Sequence, residues 1–290
     1  MQKIKTKIIY PIFLPHLGCP FLCIYCNQQA IANVSNTFSN SGEDLEQSIC
    51  YVKEHLQMGQ IQNFINKHKE KFKEVAIYGG TFSSLNLDQI SSVLTFIASV
   101  FDDKTFFRIS TRPDFINHKI LLLLKSLRVN TIELGIQSFS DVVLKESLRG
   151  YTSEQAKNSC TLVLEHGFNL SIQLLVGLPK ESEESIETNI KELLKIKPDF
   201  VRLYPLLVLK DTELEVLYRR GKYKPLTVDE AVRICSLYLQ ICEANNVKVI
   251  KMGLHADIES DSLVAGPYHA RFGELVRQHN NTFPTVNMEC

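Results

Sequence analysis

Residues 15–28 read Pro-His-Leu-Gly-Cys-Pro-Phe-Leu-Cys-Ile-Tyr-Cys-Asn-Gln, and the other predictions for the chain start from this loop. The loop places Cys19, Cys23 and Cys26 in a C-x3-C-x2-C pattern directly after the apolar run 8–14. Three thiols this close together, on a loop that leaves a predicted strand, can converge on one metal centre. Thiolates suit zinc, copper(I) and iron–sulfur clusters, so the pattern indicates a metal site without naming the metal.

The composition is that of an ordinary soluble globular protein. Hydrophobic residues make up 44% of the 290 positions and charged residues 22%, with 32 basic residues against 32 acidic ones. This balance gives no global signature for nucleic acid, and DNA is not expected as a partner. No run approaches the roughly 20 apolar residues that span a bilayer, so no membrane partner is expected. Eight cysteines without a secretory signal indicate reduced thiols and a cytoplasmic protein.

Short β-rich runs alternate with helical patterns along most of the chain. The predicted strands are 8–13, 74–78, 106–110, 131–136, 170–176 and 200–204, and the predicted helices lie near 43–68, 87–101, 117–126, 140–148, 153–166 and 182–195. A further helix and strand are predicted at 227–244 and 247–251. Such alternation is typical of a parallel sheet with crossover helices. We therefore predict an α/β fold, with a partial (β/α)6 TIM-type barrel over 1–225 and a short C-terminal α/β extension over 226–290.

Turn-forming and polar residues follow the predicted strands. The second strand ends in Gly79-Gly80-Thr81, the third in Ser110, the fourth in Gln137 and the fifth in Gly177-Leu178-Pro179. Each motif alone is typical of a plain turn. Because the carboxyl ends of the strands form the active-site face of a parallel barrel, their shared position predicts one binding face.

The cysteine loop after the first strand resembles the signature of the radical S-adenosylmethionine (SAM) superfamily. In that family three cysteines hold a [4Fe-4S] cluster, and the open position of the fourth iron binds SAM. The resemblance, which covers about residues 8–225, implies a [4Fe-4S] cluster on Cys19, Cys23 and Cys26 and SAM as the second cofactor. It also implies reductive cleavage of SAM to a 5′-deoxyadenosyl radical, with a reductant protein such as flavodoxin or ferredoxin as partner.

Further motifs resemble one branch of this superfamily, which holds oxygen-independent coproporphyrinogen oxidase-like proteins and the catalytic subunit of Elongator. Tyr78-Gly79-Gly80-Thr81-Phe82 is similar to its motif for the SAM amino group, and the stretch 134–139 is similar to one that supplies a glutamine near SAM. The SAM contacts that the resemblance implies are Tyr25, Gly79, Gly80, Thr81, Ser110, Gln137, Arg149, Gly177 and Leu178. Arg149 matches the arginine that pairs with the SAM carboxylate, a group that a planar guanidinium binds well.

Residues 202–224 look most like the Elongator-type enzymes, which modify the wobble uridine of tRNA, so tRNA is a candidate substrate. The chain shows no Gly-rich acyl-CoA signature of the acetyltransferase domain of that subunit, and acetyl-CoA-dependent modification by this chain alone is not expected. Gln173 stands where the coproporphyrinogen oxidases carry an Asp of their SAM site, which weakens the porphyrin interpretation.

Two classes of function remain open at this point. In the first, the chain is a radical SAM enzyme that acts on tRNA, a small metabolite or a porphyrin. In the second, it is a non-catalytic module in which an iron–sulfur cluster, or a zinc ion with His16 as fourth ligand, stabilises the fold. The strand-end motifs favour the enzyme.

Overall fold

The structure, a computed structural model, describes residues 8–20, 23–27, 45–69, 71, 73–254 and 260–282. Its strands are β1 (Ile8–Phe13), β2 (Lys73–Tyr78), β3 (Thr105–Thr111), β4 (Val129–Gln137), β5 (Asn169–Val176), β6 (Phe200–Pro205), β7 (Val208–Leu209), β8 (Lys248–Met252) and β9 (Leu263–Ala265). The main sheet has the order β1-β2-β3-β4-β5-β6-β8, and every neighbouring pair in it is parallel. These seven strands form a half-barrel of the TIM type. The short strands β7 and β9 pair antiparallel in a sheet of their own.

The helices are α1 (Leu45–His55), α2 (Met58–Lys67), α3 (Leu87–Val100), α4 (His118–Ser126), α5 (Asp141–Glu146), α6 (Ser153–Glu165), α7 (Glu183–Ile196), α8 (Glu213–Arg219), α9 (Val228–Ala244) and α10 (Phe272–Thr282). Several begin where a side chain can satisfy a backbone N–H that the helix itself leaves free. Asn86 starts α3 in this way and Thr227 starts α9, each as part of a capping box. Of the helices that the structure describes, none has the length and apolar character needed to cross a bilayer.

The predicted α/β alternation is confirmed, with each predicted strand present and its bounds shifted by at most two residues. The helical pattern predicted near 43–68 is confirmed for the described part of that range, which forms two helices, α1 and α2. The helix breaks where the last turn of α1 tightens and the side chain of Leu56 packs into the core. β8 belongs to the segment predicted as the C-terminal extension, and it pairs with β6 as the seventh strand of the same sheet.

Two clusters of buried apolar side chains position the cysteine loop. The larger one packs strand residues such as Val75 and Phe107 against helix residues such as Ile90. Each fully buried side chain of this kind contributes about 1.5–3 kcal/mol to stability. A smaller cluster joins Ile24 of the cysteine loop to Leu214 of α8, at the carboxyl end of the sheet. The loop is therefore packed against α8 at the end of the barrel where the binding face is predicted.

Candidate functional site

A cleft lies at the carboxyl ends of the strands. Ten of the twelve predicted site residues line it, namely Cys19, Cys23, Tyr25, Cys26, Gly79, Gly80, Thr81, Ser110, Gln137 and Arg149. Gly177 and Leu178 also follow a strand, β5, but they line a neighbouring cavity. The barrel thus brings together side chains that lie far apart in the sequence.

Backbone hydrogen bonds hold the cysteine loop against the end of β2. The amide of His16 donates to the carbonyl of Gly79 at 2.7 Å, and the amide of Thr81 donates to the carbonyl of Leu17 at 2.9 Å. A Cβ atom on Gly80 would lie 2.1 Å from the carbonyl oxygen of Leu17. Only glycine at this position therefore allows the two backbone segments to approach so closely.

The outer side of the cysteine loop is held by α8 and the residues before it. The amide of Leu214 donates to the carbonyl of Ile24 at 2.8 Å. The side-chain amide of Asn27 donates to the carbonyl of Lys210 at 2.9 Å. These contacts fix the loop between the end of β2 on one side and α8 on the other.

The thiols of the loop face polar partners in the cleft. Sγ of Cys19 lies 3.4 Å from Oγ1 of Thr81, and Sγ of Cys23 lies 2.8 Å from Nη1 of Arg149. Burial raises the pKa of the Cys19 thiol, against the opposing effect of its hydrogen bond with Thr81. The loop turns between its last two cysteines, where the amide of Cys26 donates to the carbonyl of Cys23 at 3.0 Å. No three His, Cys, Asp or Glu side chains within the described ranges are grouped so that they could hold a single metal ion.

Arg149 is a buried cation in the wall of the cleft, and none of the carboxylates that the structure describes forms an ion pair with it. Its guanidinium donates to the hydroxyl of Tyr25 at 3.0 Å, the carbonyl of Gly135 at 2.7 Å and the hydroxyl of Tyr151 at 3.0 Å. Burial by itself lowers the pKa of Arg149, but the phenols of Tyr151 and Tyr25 and the Cys23 thiol raise it well above its ordinary value. The side chain therefore stays cationic.

Gln137 ends β4 in the left-handed conformation, with φ of 69°, and its side chain lines the cleft. Its Oε1 atom is buried and has no hydrogen-bond partner in the described part of the chain. A Cβ atom on Gly135 would lie 2.8 Å from Nε2 of Gln137, so any larger residue at 135 would displace this amide. An unpaired buried acceptor costs about 1–3 kcal/mol, and a ligand that donates to it would remove this cost.

The turn that holds Gly177 and Leu178 is engaged by other parts of the protein. The amide of Gly177 donates to Oε2 of Glu181 at 2.6 Å, and its carbonyl accepts from the hydroxyl of Tyr223 at 2.7 Å. Leu178 is buried in the smaller apolar cluster. The contact of these two residues with SAM stays a prediction.

A second group of cleft residues was not among the predicted site residues, namely Tyr78, Glu133, Arg202 and Tyr204. Arg202 forms an ion pair with Glu133, with Nε 2.7 Å from Oε2, and donates to the hydroxyls of both tyrosines. Their positions span three strands, so no local spacing joins them. The signal that could have found them is a charged residue inside an otherwise apolar strand, since a buried charge needs a partner.

Comparison with known proteins identifies the family. The model described as the radical SAM superfamily matches residues 13–193, and the radical SAM C-terminal domain matches residues 198–281. The chain is 32% identical to the tRNA uridine(34) acetyltransferase of Methanocaldococcus jannaschii over 174 residues, which are 59% of this chain and 32% of that protein. It is 27% identical to the heme chaperone HemW of Lactococcus lactis subsp. lactis over 230 residues, which are 78% of this chain and 57% of that one.

The fold has a solved counterpart in the archaeal Methanocaldococcus infernus Elp3 with an N-terminal deletion. The TM-score is 0.68 at 22% identity, over 97% of this chain and 64% of that one, so the likeness concerns the fold. The chain spans between a third and just over half of the length of the two curated relatives. The family implies a [4Fe-4S] cluster and SAM, and the C-x3-C-x2-C cysteines are present. Since the superfamily model matches well over half of the chain, this protein belongs to the radical SAM superfamily of enzymes.

Proposed function

We propose that this enzyme binds a [4Fe-4S] cluster through Cys19, Cys23 and Cys26, binds SAM beside it, and modifies a tRNA. The observation that carries the proposal is the convergence of the three cysteines, Gln137 and Arg149 on one cleft. The chemistry that the two cofactors supply when bound is reductive cleavage of SAM to methionine and a 5′-deoxyadenosyl radical. The residues of the chain bind and orient the cofactors and shield them from water.

The cysteines fit a cluster better than a single ion. Each cysteine of a [4Fe-4S] cluster binds a different iron, so the sulfurs need not meet at one point. This agrees with three thiols that line one cleft without forming a closed single-ion site within the described residues. Thiolates are the usual ligands of such clusters, and three of them leave one coordination position for a ligand.

The residues beside the cysteines fit the polar groups of SAM. Arg149 lies next to Cys23 and is not paired with a carboxylate among the described residues, so it would hold the SAM carboxylate. The unpaired Oε1 of Gln137 would accept a hydrogen bond from a hydroxyl or ammonium group. Gly79, Gly80 and Thr81 would bring backbone groups close to the SAM amino group, and Ser110 would face the ribose.

The substrate part of the proposal rests on similarity. The relative from Methanocaldococcus jannaschii is a tRNA uridine(34) acetyltransferase. The segment 202–224 also looks like the Elongator-type enzymes, and it contains Arg202 and Tyr204 of the cleft. The electron would come from a reductant protein such as flavodoxin or ferredoxin.

The test is anaerobic reconstitution with iron and sulfide, followed by addition of SAM and dithionite. We expect about four irons per chain and formation of 5′-deoxyadenosine. Cys23→Ser should lose cluster iron and SAM cleavage, whereas Cys50→Ser, which changes an exposed cysteine on α1, should keep both. One bound zinc without SAM cleavage, or full cluster iron in Cys23→Ser, would contradict the proposal.

The tRNA part is tested separately. Bulk tRNA incubated with the reduced enzyme and SAM would be digested to nucleosides and analysed by mass spectrometry. A nucleoside mass that appears with the native enzyme and not with Cys23→Ser supports a tRNA substrate. SAM cleavage without any altered nucleoside would assign the chemistry to a small metabolite instead.

A further inference from the structure

Two phenols in the cleft are held by one guanidinium. Tyr78 is the last residue of β2, and Tyr204 lies one residue before the end of β6. Nη1 of Arg202 donates to the hydroxyl oxygen of Tyr204 at 3.0 Å, and Nη2 donates to that of Tyr78. The guanidinium also covers the ring of Tyr78, with its carbon 4.9 Å from the ring centroid. The planar fork of Arg202 thus fixes both hydroxyl oxygens.

The direction of these hydrogen bonds decides what the phenols offer to a ligand. A guanidinium only donates, so each phenol oxygen is an acceptor toward Arg202 and keeps its own O–H hydrogen. Within the part of the chain that the structure describes, neither Tyr78 nor Tyr204 donates that hydrogen to another residue. Both side chains line the cleft, so both O–H groups are available to an acceptor there.

The phenols are protonated at neutral pH. Burial raises the pKa of both Tyr78 and Tyr204 above the ordinary value, and the carboxylate of Glu133 adds to this, against the opposing effect of Arg202. The two groups therefore act as neutral donors. They do not act as phenolates that would accept a hydrogen bond or bind a cation.

The charge of Arg202 is already neutralised. Its Nε lies 2.7 Å from Oε2 of Glu133, whose side chain is 1% exposed. An anionic ligand group placed here would meet this carboxylate as well as the guanidinium. The subsite consequently has two donors but no net charge, which disfavours a carboxylate or a phosphate and favours an uncharged acceptor.

Apolar side chains line part of the cleft that holds the two phenols. The same cleft is lined by Phe13, Leu206, Leu207, Leu209 and Leu254. Such side chains suit the faces and edges of a flat ring. If the substrate is a tRNA, as proposed above, the flat uncharged rings that carry an acceptor oxygen are nucleobases, and that oxygen is the carbonyl of a cyclic amide or imide.

We propose that Tyr78 and Tyr204, positioned by Arg202, form a subsite that donates hydrogen bonds to an uncharged carbonyl oxygen on a cyclic amide or imide of the substrate. This rests on the proposed function, because it places the substrate in the cleft beside the cysteines and the SAM contacts. The present proposal adds the chemical class of the substrate group that enters the cleft. Tyr78 and Tyr204 would contact the substrate, and Arg202 would act through them as a positioning residue.

The test uses the reconstituted protein with SAM and without reductant, so that nothing turns over. Three ring compounds of similar size are titrated and followed by ligand-observed NMR. Uracil carries neutral ring carbonyls, orotate carries the same ring with a carboxylate, and pyrimidine carries no carbonyl. We expect uracil to bind more tightly than the other two.

Phenol-to-phenyl variants locate the effect. Tyr78→Phe and Tyr204→Phe each remove one O–H group and should weaken uracil binding roughly threefold to tenfold, the usual size for one neutral hydrogen bond. Tyr10→Phe is the matched control, because Tyr10 packs against Phe64 and Phe101 outside the cleft lining. It should leave the uracil dissociation constant unchanged.

The outcomes separate this proposal from the one it rests on. SAM cleavage is measured on the same samples after addition of dithionite. If cleavage occurs but uracil binds no better than orotate, or equally well to both cleft variants and the native protein, the carbonyl subsite is wrong and the radical SAM function stands. If no SAM is cleaved, the proposed function itself fails.

Discussion

Two arginine–glutamate pairs lie end to end inside the barrel, and they differ in what lies beyond them. Nε of Arg108 is 3.0 Å from Oε2 of Glu74, and Nε of Arg202 is 2.7 Å from Oε2 of Glu133. The pairs are joined, since Nη1 of Arg108 lies 3.4 Å from the same oxygen of Glu133. One chain of alternating charges therefore crosses the interior from β2 and β3 to β6.

The pair of Arg108 and Glu74 is closed within the barrel. The other carboxylate oxygen of Glu74 accepts from the hydroxyl of Thr131 at 2.7 Å, and the guanidinium of Arg108 lies over the ring of Phe200. The pair of Arg202 and Glu133 instead ends in two phenols of the cleft. The pair of Arg108 and Glu74 therefore stabilises the fold, because its polar groups find their partners inside the protein. The pair of Arg202 and Glu133 instead positions two hydrogen-bond donors at the carboxyl ends of the strands, where a ligand can reach them.

The largest effect is expected from opening the closed pair. Glu74→Gln removes the carboxylate charge beside the buried guanidinium of Arg108, whose remaining ion pair is the longer contact to Glu133, and should lower the free energy of unfolding by about 3–5 kcal/mol. Urea unfolding measures this loss. Glu187→Gln is the control, because Glu187 pairs with Lys191 at 3.7 Å on the exposed face of α7 and should change stability by less than about 0.5 kcal/mol. Equal losses of unfolding free energy in Glu74→Gln and Glu187→Gln would show that the buried pair contributes no more to stability than the exposed one.

Glu181 differs from Glu74 and Glu133 because it is a buried carboxylate that is not paired with a cation among the described residues. No Lys or Arg that the structure describes forms an ion pair with Glu181, and its Oε1 is buried without a hydrogen-bond partner there. Burial raises its pKa from 4.5 to about 7, against the hydrogen bond from the amide of Gly177. The folded protein thus holds this proton more tightly than the unfolded chain does. The contribution of this bound proton to the free energy of unfolding is complete below about pH 4.5 and is lost as the pH rises through about 7.

Glu181→Gln should remove this pH dependence. Each unit of pKa shift corresponds to about 1.4 kcal/mol, so the variant should gain about 2–3 kcal/mol relative to the native protein between roughly pH 5 and pH 8. Urea unfolding of both proteins at several pH values measures the difference. A stability difference that stays constant over this range would show that Glu181 does not titrate there.

The sequence could predict which strand ends form the site, because strands and turns are indicated by short local patterns of residues. Apolar runs and turn residues place β4 and its neighbours, and parallel strands must then bring Cys19 and Gln137 to one edge. The partnership of Glu133 and Arg202 depends instead on the register of three strands, which no local pattern encodes. No local pattern could predict the environment of Gly177 either, because its carbonyl accepts a hydrogen bond from the hydroxyl of Tyr223, 46 positions away.

An arginine that is not paired with a carboxylate among the described residues is expected to matter for SAM binding. Arg149→Ala removes a charged donor next to Cys23, and should raise the dissociation constant of SAM at least roughly tenfold, since such hydrogen bonds contribute about 1.5–3 kcal/mol. Equilibrium SAM binding to the reconstituted protein measures this, with iron content determined in parallel. Arg277→Ala, which changes an exposed arginine on α10, is the control. An unchanged dissociation constant with full iron would remove Arg149 from the SAM site.

The smallest effects are expected from making the same conservative change in the arginine of each pair. Lysine keeps the positive charge but loses the fork that lets one guanidinium bind several acceptors. Arg108→Lys should lower the free energy of unfolding by about 1 kcal/mol and leave uracil binding unchanged, because Arg108 does not itself line the cleft. Arg202→Lys keeps a cation for Glu133 but releases the phenols of Tyr78 and Tyr204, so uracil binding should weaken roughly threefold while stability changes less. If the two variants shifted both properties alike, the two pairs would not be functionally distinct, and the cleft phenols would need another explanation for their fixed orientation.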